Sequence, residues 1–275
     1  MLSSTESEPE SGGAGRLLID EPAPHVARLT ISNPGKRGAL DEAILDSFAA
    51  TMPELDARCV IITGEDTTFS AGYDIGDLGG WARNGFADEA EKRVARPFAA
   101  AIGAVEAYPY PTVAALNGHA IGGGLELALS CDLRLAAEPI KLGMPPAKLG
   151  LVYSHTGIRK FIDAIGAPRT RELFLVGRRI DAVTAHAWGL VNAVSSADEL
   201  AETTLSLARE IAGNAPLAQL GNKRVIRAVL DGQATLDPAV ERELLRLRHA
   251  CFSSQDFREG VLAFTQKRPP EFKGR

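Results

Sequence analysis

Residues 112–137 read TVAALNGHAIGGGLELALSCDLRLAA, and this stretch decides the fold. TVAAL (Thr112 to Leu116) and LRLAA (Leu133 to Ala137) are largely apolar runs that read as strands buried on both faces. Between them Gly122, Gly123 and Gly124 lead directly into an apolar helix carrying Leu125, Leu127, Ala128 and Leu129. Strand, glycine turn, helix and strand make a βαβ unit, which places the chain in the α/β class.

Working outward, CVIIT (Cys59 to Thr63) is a further buried strand. Leu17 to Ile19 and Ala27 to Ile31 are short strands joined by the turn-rich EPAPH. Ala27, Leu29 and Ile31 alternate with Arg28, Thr30 and Ser32, the period of a half-buried strand. Asp41 is placed to cap a helix whose Ile44, Phe48, Met52 and Leu55 share one face. Beyond Pro146 the pattern turns helical. Ile158, Phe161, Ile162 and Ile165 form an apolar face that Gly166 is placed to end. Asp181 and Gly189 bracket a short helix, and Leu200, Thr204, Leu207 and Ile211 line a longer one, with two more helices after it. The expected organisation is a disordered tail over 1–15, an α/β core over 16–200 and a helical region over 201–275 that packs on the core or on another subunit.

The 275 residues are 45% hydrophobic and 24% charged, ordinary for a globular chain with a substantial core. A formal net charge of -5 without a dense Lys/Arg run argues against nucleic acid as the main partner. Cys59, Cys131 and Cys251 lie far apart, and an odd count without a CxxC pair fits neither a disulfide framework nor a zinc site. His25, His119, His155, His186 and His249 show no i,i+4 pairing, so no metal is expected. No apolar run reaches the roughly 18–20 residues of a membrane span. The opening MLSSTESEPESGGAG is acidic and small, unlike a signal or transit peptide, and a cytoplasmic location is expected.

Two glycine-bearing turns are candidates for chemistry. FSAGYDI (Phe69 to Ile75) follows CVIIT, and the small Ser70, Ala71 and Gly72 let a ligand approach the backbone; a tight strand-to-helix turn is the plainer explanation. At the second, Gly122–Gly124 present the unpaired N–H groups of a helix start, which favour a developing anion, and Glu126 falls in the first turn. A dinucleotide fingerprint lacks its third glycine here, and a Walker loop lacks GK[ST]. A serine hydrolase lacks GxSxG, and Ser70 has no evident His partner.

Taken in order, NPGKRGAL, FSAGYDI, NGHAIGGGLE and EGVLAFTQKRPPEFKG resemble the enoyl-CoA hydratase/isomerase (crotonase) superfamily over nearly the whole chain from about residue 16. The resemblance implies a spiral of ββα turns with a C-terminal helical trimerisation region, as trimers or hexamers. It implies a coenzyme A thioester as substrate, with no tightly bound cofactor and no membrane or nucleic-acid partner. By motif match the thioester oxygen meets the main-chain N–H groups of Tyr73 and Gly123. Preorganised donors of this kind are worth roughly 3–4 kcal/mol each where an enolate forms.

Hydratases of the family use two glutamates. The first matches Glu126; the second position, in GMPPAKLG, is Pro146, which has no titratable group. The following LGLVYSHTGI carries Tyr153 and is similar to the methylmalonyl-CoA decarboxylase branch, which also lacks the second glutamate. Decarboxylation needs no general base, because loss of carbon dioxide itself generates the enolate. Tyr153 is expected to bond the departing carboxylate or to protonate the enolate, with Glu126 orienting or relaying a proton; a core aromatic is its plainer role. His155 and His119 are expected to be structural.

For the coenzyme, the resemblance points to Lys36, Arg37, Gly38 and Ala39 beside the phosphates, where charge-assisted bonds are available. Phe264 and Lys267 on the last helix would meet the nucleotide, Ala71 and Asp74 would line the acyl–pantetheine bend, with capping of a following helix the preferred role for Asp74, and Gly122 is a further substrate-binding candidate. The expected enzyme is thus an acyl-CoA lyase or isomerase, preferentially a decarboxylase of a malonyl-type thioester. Hydration or isomerisation of an enoyl-CoA by Glu126 alone is the alternative. A non-catalytic acyl-CoA- or RNA-binding protein is the alternative of another class, disfavoured by the intact glycines and the lack of a basic tract.

Overall fold

The computed structural model describes residues 14–74, 91–214, 216–232 and 253–268, together with Arg242 and Arg246. Most of the expected tail, Ile75 and the helix that Asp74 was placed to cap lie outside the described residues, as does much of 233–252.

Strand β1 (Arg16–Ala23) turns at His25 into antiparallel β2 (Val26–Ser32), with Leu29 and Ile31 fully buried. Helix α1 (Glu42–Thr51) starts where expected: the Asp41 carboxylate accepts from Ile44 N at 3.0 Å, satisfying an orphan donor of the first turn. Strand β3 (Cys59–Gly64) runs parallel to β2, and the three-residue β4 (Thr68–Ser70) follows it. After α2 (Arg96–Ala107) come β5 (Thr112–Leu116), the short β6 (His119–Ile121) and α3 (Gly123–Leu129). The next turn repeats the order with β7 (Leu133–Glu138), β8 (Lys141–Gly143) and α4 (His155–Arg171). Then come β9 (Arg179–Asp181), α5 (Ala182–Trp188) between its Asp181 and Gly189 caps, and β10 (Ala193–Ser196). Helices α6 (Leu200–Gly213), α7 (Pro216–Gly232) and α8 (Gln255–Thr265) complete the described chain.

From β3 to β8 successive strands go alternately to two sheets. β1-β2-β3-β5-β7-β10 form one, parallel beyond β2, and β4-β6-β8-β9 form the other. Each turn of chain therefore climbs as strand, strand, helix: the ββα spiral that the resemblance implied. Asn117 stitches successive turns, its amide accepting from Gly64 N and donating to Gly64 O and Asp66 O. Helix α6 lies across β3, β5, β7 and β10, with Leu200, Thr204, Ala208 and Ile211 buried.

Three expectations need correction. The region beyond Pro146 is not wholly helical, because β9 and β10 return to the two sheets. Ile162 is 40% exposed: the buried stripe of α4 runs Gly157, Phe161, Ile165 at i,i+4, and Ile162 sits one position round the helix. Gly166 does break the helix, at φ 73 and ψ 162, but the chain resumes helical geometry to Arg171.

Candidate active site

The Phe69–Asp74 segment is stitched to the loop before α1. Buried Ser70 donates its hydroxyl to Gly38 O at 2.7 Å and accepts from Gly72 N at 3.1 Å. Ala71 N donates to Arg37 O, Leu40 N to Gly72 O and Asp74 N to Leu40 O. This bridge uses the groups of residues 72 and 74, so the Tyr73 N–H faces the other side of the extended segment.

That other side meets the three glycines. Gly72 sits at φ +92, and a Cβ on it would lie 2.6 Å from Ile121 O and 3.1 Å from Gly123 N. A Cβ at Gly123 would lie 3.4 Å from the rings of both Tyr73 and Phe98. The Gly123 N–H opens α3, whose first turn has no i−4 carbonyl to accept it. Gly122, at φ 55, donates to Gly143 O and accepts from Leu125 N and Glu126 N. The two candidate turns are thus neighbours.

Glu126 is buried in that first turn. Its Oε2 accepts a short hydrogen bond from the Tyr153 hydroxyl, delivered by the segment just before α4. Gly157 makes the approach possible: a Cβ there would lie 2.6 Å from Tyr153 Cε1 and 2.9 Å from Glu126 Oε1. The Ser154 cap, accepting from Gly157 N, fixes this turn. Burial, then the Glu126 and Tyr73 charges, then hydrogen bonds to both, hold the Tyr153 phenol well above its ordinary pKa. The phenol therefore stays protonated, a donor. The Tyr73 ring packs edge-on against Phe98 at 4.5 Å, and the Tyr153 ring against Phe174 at 5.6 Å.

Sequence reasoning gave Tyr73 weight through its N–H alone. The influence of its phenol on Tyr153 was missed, and so were Gly157 and Phe174. Nothing in SHTGI marks Gly157, whereas Tyr73 stood in the motif itself.

The coenzyme-side candidates divide into two groups. Lys36, Arg37 and Ala39 lie on the loop before α1, against the segment that carries Ala71 and Asp74, and Lys36 Nζ pairs with the Asp74 carboxylate at 2.6 Å. Arg37 is exposed in the left-handed region, at φ 54, while Ala39 is buried. Half-exposed Phe264 is on α8, and Lys267 lies just past its end. Helix α8 seats on the turn Pro146–Leu149, where a Cβ at Gly260 would come 2.4 Å from Leu149 O. Pro146 is buried at the start of that turn. His119 Nδ1 accepts from Lys141 N, a structural use joining β6 to the start of β8. Among the described residues no group of three or more His, Cys, Asp and Glu is arranged to hold a metal ion, and no helix is long and apolar enough to cross a membrane.

Residues 21–275 match the family model for enoyl-CoA hydratase/isomerase. The chain is 33% identical to the probable enoyl-CoA hydratase echA8 of Mycobacterium bovis over 262 residues, covering 94% of this chain and 98% of that protein. It is also 33% identical to the 2,3-dehydroadipyl-CoA hydratase of Escherichia coli K12, over 94% of this chain and 99% of the other. Among solved structures it is similar to a methylmalonyl-CoA decarboxylase in complex with 2-nitronate-propionyl-CoA, with a TM-score of 0.84 and 27% identity, covering 94% of this chain and 98% of that one.

Proposed function

The chain belongs to the enoyl-CoA hydratase/isomerase family, and from that premise we propose that it converts a coenzyme A thioester through an enolate, its reaction being decarboxylation of a malonyl-type acyl-CoA. The carrying observation is the bond between the Tyr153 phenol and buried Glu126, in a chain with Pro146 at the position of the second carboxylate. The likeness of fold to a methylmalonyl-CoA decarboxylase supports the same reading.

In this reading the carbon–carbon bond to the carboxylate breaks and its electron pair moves into the thioester. Charge leaves one end of the acyl group and arrives on the thioester oxygen. The Tyr73 and Gly123 N–H groups await it there, each worth roughly 3–4 kcal/mol as a preorganised donor. At the other end Tyr153 turns its O–H from Glu126 to the substrate carboxylate. The Glu126 charge behind it, poorly screened by water, favours the departure of a like charge. Coenzyme A enters only as part of the substrate. With Lys36 paired to Asp74, Arg37 is our assignment for its phosphates, while Ala39, Ala71 and Gly122 line the path and Phe264 and Lys267 meet the nucleotide.

The hydratase names of the sequence relatives favour a second reading, hydration or isomerisation of an enoyl-CoA with Glu126 as the one carboxylate. Incubation with malonyl-, methylmalonyl- and crotonyl-CoA, following carbon dioxide and hydration, separates the two. Rapid hydration of crotonyl-CoA with no carbon dioxide from either diacid overturns the decarboxylase. Glu126→Gln should abolish hydration yet lower decarboxylation less.

The division into a tail over 1–15, a spiral core over 16–200 and a helical oligomerisation region over 201–275 is part of the proposal, with α6 the portion of the last region that packs on the sheet. Exposed Val225, Ile226 and Leu230 on α7 are the apolar surface from which a homotrimer, or a dimer of trimers, would be built. Sedimentation velocity giving a monomer would remove that part.

A further inference from the structure

We infer that Tyr153 also selects the reaction: its hydroxyl holds the Glu126 carboxylate as an acceptor and so keeps it from serving as a base. The restraint applies to bound acyl groups that carry no second carboxylate, and the inference rests on the decarboxylase reading above. A thioester enolate forms either by loss of carbon dioxide or by removal of a proton from C2, and the second route needs a base. Glu126 is placed for that work, three residues on from Gly123 in α3 and so on the same side of the helix. Its Oε2 accepts the Tyr153 hydroxyl, and its Oε1 lies against Gly157, 2.9 Å from where a Cβ there would stand. The buried carboxylate is thus turned toward the start of α4 and held there by a donor. A charge-assisted hydrogen bond of this kind stabilises the ionised form and weakens it as a base. Packing keeps the donor in place: Phe174 lies edge-on against Tyr153 at 5.6 Å, and Phe161 against Phe174 at 5.0 Å.

A malonyl-type substrate draws the hydroxyl away, because its own carboxylate is a competing acceptor. The monocarboxylic product has no such group, so the bond to Glu126 closes again once carbon dioxide has left. Without the hydroxyl, the C2–H bond of that product is open to attack. Its proton would go to Glu126, and its electron pair would enter the thioester as the enolate. Return of a solvent-derived deuteron from Glu126 to C2 completes an exchange in which nothing is oxidised or reduced.

The test is incubation of propionyl-CoA in deuterated water, with deuterium at C2 read by mass spectrometry. The wild type should label no faster than buffer alone. Tyr153→Phe should label about a hundredfold faster, the lower end of what a positioned base contributes. Tyr153→Phe/Glu126→Gln should return to the wild-type rate. Such a gain is not what loosened packing alone produces. Rapid labelling by the wild type, labelling by folded Tyr153→Phe at the wild-type rate, or label that survives in the double variant overturns the inference. Should Tyr153→Phe fail to fold, Gly157→Ala, whose Cβ would press on both partners, is scored in the same way. Carbon dioxide release from methylmalonyl-CoA, measured alongside, keeps the two claims apart. Its presence sustains the decarboxylase reading whatever the variants do; its absence, with crotonyl-CoA hydrated instead, defeats both.

Discussion

The Tyr153 hydroxyl donates to Oε2 of Glu126, a carboxylate only 3% exposed in the first turn of α3. A buried carboxylate is costly without donors, and a phenol with its pKa driven upward supplies a proton that stays in place. The pair is therefore a structural necessity for Glu126 as well as a chemical resource. Any change to one partner should be felt by the other.

Tyr153→Phe takes this donor from Glu126 Oε2, and the loss should cost about 1–3 kcal/mol of stability. Glu126→Gln removes the charge and should soften that penalty. In urea unfolding the double variant should be more stable than the sum of the single losses implies, with a coupling of at least about 1 kcal/mol. Strict additivity would mean that the bond contributes nothing.

Gly157→Ala is the steric counterpart. Its Cβ would meet Tyr153 Cε1 at 2.6 Å and Glu126 Oε1 at 2.9 Å, so the pair must separate or α4 must shift. Overpacking of this kind costs about 1–3 kcal/mol, which a chain with so large a core should survive. Turnover should fall far more than stability, by about a hundredfold, the scale of displacing a positioned proton-transfer group. Wild-type turnover from a folded variant would show that the contact is irrelevant to the chemistry.

How far the sequence foretells this depends on element length. CVIIT, TVAAL and LRLAA are legible as strands because each is a run of five residues in a sheet covered on both faces. The second sheet is not legible. β4, β6, β8 and β9 are three residues each, too short to display a period of two, and contacts such as those of Asn117 between spiral turns help hold them. The site divides in the same way. The glycine turns announce themselves locally, and their joining at Gly72 and Gly123 follows from motif order. The Tyr153–Glu126 bond spans 27 residues and depends on an unremarkable glycine in another helix, so nothing local encodes it.

Buried thiols set the alkaline limit of stability. Burial pushes Cys59 and Cys131 up to about 12 from an ordinary 9.0. Above pH 9.0 the unfolded chain releases these protons while the folded chain keeps them until about 12. The unfolded state then binds fewer protons, so the free energy of unfolding falls as pH rises through that window. Each thiol contributes a slope of up to about 1.4 kcal/mol per pH unit. Tyr108 and Tyr153, both raised, act with the same sign at higher pH. Urea midpoints measured upward from about pH 8 should decline steadily, and more shallowly in a Cys59→Ala/Cys131→Ala variant whose baseline is lower. Native protein should leave both thiols unmodified by a thiol reagent; rapid labelling of either would contradict their burial.

Arg37 offers a test of coenzyme binding free of backbone side effects. It sits at φ 54 and ψ 47, left-handed geometry that an arginine adopts at a cost and a glycine does not. Arg37→Gly therefore removes the cation while relieving the main chain, and Arg37 O can still accept from Ala71 N. If the guanidinium bonds a coenzyme phosphate, KM for the thioester should rise about tenfold, equivalent to about 1.4 kcal/mol. Melting temperature should hold or increase. The loss should shrink at high salt, where the wild type already forfeits much of the attraction. A comparison with the pantetheine thioester, which has no nucleotide phosphates, supplies the control: both proteins should bind it alike. An unchanged KM for the full coenzyme thioester would return Arg37 to an ordinary solvated loop charge and shift the phosphate contact to Lys36, whose release from Asp74 would then be part of binding.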